Sequence, residues 1–556
     1  MAEGRPPPAG AARELCQKLK PLLGEKMDRI YAAYCAEDID GKRQIERYLE
    51  LLMAKHLPEP LEVTAGDLLP PSRAEAAGEY PIGSVHYAGK DLYPFGLRED
   101  EWIQHVAVFG RTGAGKTNTG FLILKQLKDK GKPFLLFDWK RNYRDLLALP
   151  EFADVEVYTV GRNIVPFTFN PLIPPQGTHP KTWLKKLNEI IAHSYCLGNG
   201  VLYLLQQAVD FVYQEAGVYD GTVEAWPTFK DVLAKARTMD TRGRESGWLS
   251  STLRALATLC FGEMDTLVNS ANNNSIDHIL DKSVILELDA LTQSDKTFFV
   301  QAAMLYLHHK RMTEERREEF KHAIIIEEAH HVLSDERRSL VGGQSVMDII
   351  FREIREFGEG LILLDQHPSK ISLSALGNTY TTLCMNLKHK TDINAMGQCL
   401  LLDRDRDILG MLDVGHAVVK LQGRTPKAFQ IRIPKFTIEK GKIGDGEIQK
   451  HMRYIAPAGA EEDFRLPKKF RALSEPQPAD GSVLAFLQDT HQYPDSGIAQ
   501  RYKRLGISVR QGQKLKTILL EQGMICEHTQ MTATGRLKMV ELTEKGKSML
   551  SDEKMK

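Results

Sequence analysis

Gly110-Arg111-Thr112-Gly113-Ala114-Gly115-Lys116-Thr117 fits the pattern G-x-x-x-x-G-K-[ST] and decides the fold of the chain around it. In this pattern the glycines let backbone N–H groups wrap phosphate oxygens, the lysine reaches the β- and γ-phosphates, and the last hydroxyl ligates Mg²⁺. The flanks are the ones this loop requires. The apolar run His105–Phe109 reads as a strand leading in, and Thr119–Lys130 as an amphipathic helix leading out, with its N-terminus toward the phosphates. The predicted nucleotide contacts are therefore Gly110 to Thr117 together with Asn118, and the predicted cofactors are ATP and Mg²⁺.

Downstream, Ala323-Ile324-Ile325-Ile326 ends in two carboxylates, Glu327 and Glu328. In P-loop enzymes the first acid after such a strand holds Mg²⁺ through water, and the second polarises the attacking water. Thr117 and Glu327 are thus the magnesium-side residues and Glu328 the general base. The next residues, Ala329-His330-His331, raise a zinc reading. Adjacent histidines rarely ligate one metal and no third ligand stands near in sequence, so zinc is not expected. A third apolar strand, Gly360–Asp365, ends at Gln366, an amide suited to sensing the γ-phosphate or placing water. The segment Ser345–Gly360 before it reads as a helix with Arg352 and Arg355 on one face. Either can act as an arginine finger toward a neighbouring subunit's ATP. Asp348, Arg352 and Glu356 also stand at i, i+4, so an ion-pair lattice along the helix is the competing reading.

Around these motifs short apolar runs (HVAVFG, FLLFD, VILELDAL, AIIIEE, GLILLDQ, HAVVKL) alternate with helical or polar segments. Such runs suit strands buried on both faces of a mainly parallel sheet. The expected fold class is α/β: a RecA-like P-loop ATPase core with a helical insertion, an N-terminal helical region and a C-terminal winged helix. Its parts are an N-terminal helical region at 1–60 with the Pro/Ala-rich first ten residues disordered, a connecting segment at 61–104, the core at 105–435 with its insertion at about 172–281, a polar linker at 436–481, and a small domain at 482–556.

The 556 residues suffice for several domains. Lys+Arg and Asp+Glu both total 73, and this neutral balance excludes a uniformly basic nucleic-acid coat but not a local basic patch. Seven scattered cysteines without a Cys-x-x-Cys pair read as reduced thiols of a cytoplasmic protein. The N-terminus lacks the apolar core of a signal peptide, and no apolar run approaches the ~20 residues of a membrane span, so direct membrane insertion is not expected.

The local basic patch lies near the C-terminus. Val483–Thr490, Ser496–Leu505 and Val509–Gln522 read as helices, followed by two strands around a polar tip and a last helix at Thr543–Leu550. That order resembles a winged helix. Arg501, Lys503, Arg504, Arg510, Lys514 and Lys516 are basic, and no acid interrupts Gly497–Leu520. Such residues pair with DNA phosphates while the third helix lies in the major groove. Winged helices also dock proteins, and that reading stays open beside it.

From about Tyr80 to Pro434 the chain resembles the HerA/FtsK superfamily of hexameric DNA-pumping ATPases, HerA-like proteins above all. The resemblance rests on HVAVFGRTGAGKT, FDWKRNY, PFTFNPL, IIIEEAHHVL, FREIREFGEGLILLDQHPS and DVGHAVVKL, in that order. It implies an ATPase centre made of Lys116, Thr117, Glu327, Glu328, Gln366 and an arginine from the Arg352/Arg355 helix. It places Asp138 and Lys140 near the nucleotide or the subunit interface. HerA proteins usually begin with a small β-barrel, whereas this chain begins with helical patterns. The function so implied is an ATP-driven DNA translocase or helicase, a homo-hexamer working with a nuclease or effector in repair or phage defence. A conjugation-type coupling ATPase and a regulatory ATPase that scaffolds an effector without moving DNA are the alternatives.

Overall fold

A computed structural model describes residues 11–57, 68–314, 317–334, 345–402, 405–455, 481–494, 496–521, 523–532, 535–543 and 545–547. The chain divides into two compact units, 1–457 and 458–556.

The larger unit is built on one sheet of eleven strands. In chain order these are β1 (Tyr80–Tyr87), β2 (Lys90–Leu97), β3 (Val106–Phe109), β4 (Phe134–Asp138), β5 (Glu156–Thr159), β6 (Val284–Glu287), β7 (His322–Glu327), β8 (Glu359–Asp365), β9 (Thr381–Cys384), β10 (His416–Leu421) and β11 (Phe429–Arg432). Across the sheet they run β2-β1-β11-β10-β9-β3-β8-β7-β4-β6-β5. The stretch from β9 to β5 is parallel throughout. Its strands are buried along their whole length, and β3, β4, β7 and β8 are mostly apolar, as residues covered on both faces must be. The strands from β10 to β2 pair antiparallel and extend one edge. Arg424 joins this flank to the turn before β3 through a buried bidentate pair with Glu101, at 2.6 and 2.7 Å.

The connecting segment expected at 61–104 therefore contributes β1 and β2 to the sheet, and the core begins at Tyr80 rather than His105. No barrel precedes the phosphate loop among the described residues. Three helices, Ala11–Leu23, Lys26–Ala36 and Ile39–His56, form a bundle around Cys16, Leu19, Met27, Leu49 and Met53. Tyr87 of β1 belongs to the same apolar cluster, and its hydroxyl donates to Lys18 O at 2.9 Å.

Between β5 and β6 the chain is helical, from Pro180–Ser194 to Asn274–His278. The long helix Gln293–Met312 packs against Pro180–Ser194 and Val346–Glu353, and most of its residues are buried, Asp295, Gln301, His308 and Arg311 among them. The expected linker is also corrected. Asp445–Ile455 is a helix that buries Ile448 and Met452 against β5, and Asp445 accepts from Arg144 at 2.9 Å. Residues 456–480 of that stretch, and the first ten residues of the chain, lie outside the described residues. No helix among the described residues is long and apolar enough to cross a membrane.

The smaller unit has helices Gly481–Gln492, Ile498–Arg504 and Val509–Glu521, then an antiparallel hairpin of β12 (Ile525–Thr532) and β13 (Gly535–Leu542). Gly512 permits the second and third helices to touch, since a Cβ there would meet the Tyr502 ring at 2.4 Å. Of the expected last helix, Thr543–Leu550, residues 545–547 are helical, and 544 and 548–550 lie outside the described residues.

Candidate functional site: the phosphate loop and its carboxylates

The loop 110–115 joins β3 to the helix Lys116–Asp129 at the carboxyl end of the parallel strands. Gly113 and Gly115 take φ of +81° and +119°, a region that favours glycine. At Gly115 a Cβ would also meet Met385 Cε at 2.7 Å. The loop is braced from behind. Arg111 donates through its backbone to Asn386 O at 2.7 Å and through Nε to Asn386 Oδ1 at 2.6 Å. Gly110 N donates to Asp365 O at 3.1 Å. Lys116 Nζ folds back onto Gly110 O at 2.6 Å and Arg111 O at 3.2 Å. Burial holds its pKa below the usual lysine value, against the pull of Glu328, Asp365 and Glu327.

Asn118, expected among the nucleotide contacts, commits both side-chain polar atoms elsewhere. It donates to Pro434 O at 2.9 Å and accepts from Phe436 N at 2.7 Å, tying the segment after β11 to the first turn of the helix.

Opposite the loop three carboxylates crowd together. Asp138, at the end of β4, is fully buried and accepts from the backbone of Lys140, Asn142 and Tyr143 at 3.0–3.1 Å. Burial pushes it up to about 6, with Glu287 adding to the rise and the three N–H donors opposing it. Glu327, at the end of neighbouring β7, is pushed up to about 8 by burial and by the charges of Asp138 and Glu328, against the Tyr143 hydroxyl and the Trp139 backbone. Its Oε2 is buried without a well-aligned hydrogen bond. A carboxyl whose ionisation is resisted by burial and by two neighbouring acids, beside a phosphate loop, fits a hard divalent cation, which would take the place of its proton. Thr117 follows Lys116 in the first turn of the helix and offers the hydroxyl expected for that role.

Glu328 stands at φ +50°, a strained position for a non-glycine residue, with its N–H on Leu364 O at 2.9 Å. This turn aims its carboxylate across the end of β8. Oε1 accepts from Gln366 Nε2 at 2.6 Å and from Lys140 Nζ at 2.6 Å. The Gln366 side-chain oxygen Oε1 in turn accepts from Thr112 Oγ1 at 2.7 Å. Glu328, Gln366 and the phosphate loop are thus one hydrogen-bonded line.

His330 also takes part, which the zinc argument missed. Its Nδ1 lies 2.8 Å from Asp365 Oδ2 and 3.8 Å from Glu328 Oε2, and its backbone N–H donates to the same Asp365 oxygen at 2.7 Å. Two carboxylates therefore stand near it, and these three residues have ligand atoms within 4.8 Å of one another. The short His330–Asp365 bond already explains that approach. His331 turns aside and stacks on Trp139 at 5.6 Å. Asp365 and Tyr143 are further residues whose roles here the sequence did not signal, and Thr112, expected only as a nucleotide contact, also bonds Gln366. The only hint at Asp365 was a lone acid at the end of an apolar strand.

Arg352 and Arg355 are not brought to this site. Both are exposed on the segment entering β8 at Glu359, and Gln366 follows the other end of the strand. Seven residues at about 3.3 Å rise put roughly 20 Å between the two ends. Among the described residues Arg352 pairs with its neighbour Glu353 at 3.8 Å, while Asp348 accepts from Ser345 and Ser372 at 2.7 Å.

In the smaller unit the basic run is partly neutralised from within. Arg501 is fully buried and donates to Asp489 Oδ2 at 3.0 Å and to the carbonyls of Asp489 and Tyr493 at 2.9 Å. Arg504 takes the other Asp489 oxygen at 2.8 Å, and buried Lys516 pairs with Glu527 at 2.8 Å. Arg501 and Lys516 are fold residues, which corrects their expected place among DNA contacts. Lys503 is exposed. The side chains of Arg510 and Lys514 lie outside the described residues.

Fold and site together define a P-loop ATPase. Residues 80–195 match the family model described as the central domain of helicase HerA. The chain is 22% identical to the DNA double-strand break repair helicase HerA of Saccharolobus solfataricus, over 62% of this chain and 66% of that one. It is 21% identical to a Methanocaldococcus jannaschii protein described as a probable helicase, over 57% of this chain and 60% of that one. The chain thus spans less than two thirds of the length of these two relatives. VirB4 of Thermoanaerobacter pseudethanolicus shares the fold, with a TM-score of 0.52 at 15% identity, over 65% of this chain and 97% of that one. The likeness to HerA thus lies in the central domain at residues 80–195, and the likeness to VirB4 lies in the fold.

The crowding at Glu327 has a measurable consequence. Its pKa rises from 4.5 to about 8 on folding, so the folded chain holds a proton there that the unfolded chain gives up. The neutral form's contribution is fully present below the unfolded value and is lost as pH rises toward about 8. Each pKa unit is worth about 1.4 kcal/mol. In magnesium-free buffer Glu327→Gln should match the wild type in thermal midpoint near pH 4.5 and exceed it by several degrees at pH 8.5. Parallel pH profiles for the two proteins would contradict the assignment.

Proposed function

We propose that the chain hydrolyses ATP with Mg²⁺ and uses the energy to move DNA through a homo-oligomeric ring, a hexamer serving a nuclease or effector partner. The observation that carries the ATPase part is the line Thr112–Gln366–Glu328 drawn across the phosphate loop beside Lys116. Lys116 leaves its loop carbonyls for the β- and γ-phosphates, the backbone N–H groups of 113–117 cradle them, and Thr117 and Glu327 are the residues that would hold the magnesium. Magnesium supplies charge neutralisation on the phosphates. Glu328 accepts the proton of the attacking water, and Gln366 reports the γ-phosphate to it through Thr112. What supports the DNA part is the likeness to relatives named as repair helicases. What supports a ring is the distance of Arg352 and Arg355 from the chain's own loop. An arginine there can meet a nucleotide only on a neighbouring subunit.

Lys116→Ala should abolish tight ATP binding, and Glu328→Gln should bind ATP yet lose turnover by at least about 100-fold, the usual weight of a general base. Nucleotide binding and phosphate release measured side by side check both. Wild-type turnover by Glu328→Gln would remove it as the base.

An alanine variant at the working arginine, Arg352 or Arg355, should be inactive alone and regain partial activity when mixed with Lys116→Ala subunits, because some interfaces then hold both intact halves. Light scattering that finds a monomer with and without ATP would end the ring proposal.

DNA affinity should fall with salt by about 0.9 log units per log unit of salt for each phosphate neutralised. Replacing Lys503, Arg510 and Lys514 with alanine should flatten that slope by about 0.9 for each phosphate no longer neutralised. Fluorescence anisotropy across a salt series reads it. An unchanged slope would make the smaller unit a protein dock.

A further inference from the structure

One oxygen of the proposed base has both lone pairs filled. A carboxylate oxygen offers two acceptor directions. Glu328 Oε1 gives one to Gln366 Nε2 and the other to Lys140 Nζ, each at 2.6 Å. Gln366 also bonds Thr112 of the phosphate loop, so Oε1 is the oxygen turned toward the phosphates, where an attacking water must stand. Its companion Oε2 lies toward His330, 3.8 Å from an Nδ1 already bonded to Asp365. While both donors stay in place, Oε1 cannot accept from water.

The two donors differ in how they are held. The Gln366 amide is bonded at both its oxygen and its nitrogen, and it follows a fully buried strand. The Lys140 side chain is half exposed and reaches Glu328 from a backbone fixed elsewhere. Its own N–H bonds Asp138 at 3.1 Å, Arg141 after it takes φ +62°, and Arg144 is bound to Glu287 at 2.6 and 2.7 Å. The backbone is thus anchored and the ammonium is the part free to swing.

We propose that Lys140 is a positioning residue that restrains Glu328, and that its ammonium must leave Oε1 before the carboxylate can orient water. The inference rests on the reading of Glu328 as the base. Turnover in the absence of DNA is then limited by how often this ion pair opens, and a chain without the ammonium omits that step.

The test is steady-state hydrolysis of Mg·ATP by the full chain without DNA, for the wild type, Lys140→Met, Lys140→Arg and Glu328→Gln. Lys140→Met should raise kcat about threefold to tenfold, the weight of one charge-assisted hydrogen bond at a half-exposed site, with KM within about twofold. Lys140→Arg keeps a donor and should give a smaller rise. A purely structural role for Lys140 would raise KM or lower both constants. If Glu328→Gln is dead and Lys140→Met has an unchanged or lowered kcat, the restraint is wrong and the base reading stands. If Glu328→Gln turns over like the wild type, the base reading itself falls.

Discussion

Negative charge packed at the ends of β4 and β7 is the constraint on which the rest of the site depends. Asp138 and Glu328 lie close enough to raise the proton affinity of Glu327, and Asp138 and Glu327 are buried. Like charges at such spacing are tolerated only if something nearby answers them. Three backbone N–H groups answer Asp138, Lys140 and Gln366 answer Glu328, and Glu327 is left for a proton or a cation. Lys116 stands close enough for these acids to raise its own proton affinity. The phosphate loop and the acidic strand are therefore one electrostatic unit, though more than two hundred residues separate them in sequence.

Strand order ties that unit to both ends of β8. β8 lies between β3, which carries the phosphate loop, and β7, which carries the acids. At its carboxyl end Gln366 touches both, while Arg352 and Arg355 lead into its amino end. His105 fastens this amino end to β3. It accepts through Nδ1 from Leu361 N at 3.1 Å and bonds Phe351 O through Nε2 at 2.7 Å. Accepting from an N–H requires the neutral ring, and burial keeps it neutral by holding the pKa down to about 4. Any force applied to the arginine segment by another subunit would reach the phosphate loop through β8 and β3. Both strands are regular and buried, and packed elements of this kind shift as bodies rather than stretch.

The sequence made legible whatever the chemistry confines to adjacent residues. The phosphate loop needs glycines, a lysine and a hydroxyl in fixed order, and the acids and Gln366 follow unmistakably apolar strands. Strands without such a signature escaped. β1 contains Pro81, Gly83 and Ser84, and β5, β9 and β11 are four residues each, too short to show a period. The helix Asp445–Ile455 hid in a polar stretch because only Ile448 and Met452 are buried. Pairing through space was illegible for a different reason. The window 497–520 holds no acid, yet Arg501 and Arg504 share Asp489 upstream of it and Lys516 takes Glu527 downstream. A basic run counts as a patch only after such partners are subtracted, and a one-dimensional reading cannot subtract them.

The groups that would meet a nucleotide are already satisfied by one another. Lys116 rests on two loop carbonyls, Thr112 on Gln366, and Gln366 and Lys140 on Glu328. The Lys116 bonds cannot persist unchanged with phosphates in the loop, because the same ammonium serves the phosphate oxygens. Binding therefore exchanges one closed set of hydrogen bonds for another instead of adding new ones. The net affinity of such an exchange is modest, since each new bond replaces an old one. Its value lies in the coupling. A ligand shifts a conformation only as far as it favours one arrangement over the other. Here the γ-phosphate is the group that competes for Lys116, and through Thr112 for Gln366. A diphosphate lacks that group, so the same loop has a physical reason to hold Glu328 differently before and after hydrolysis.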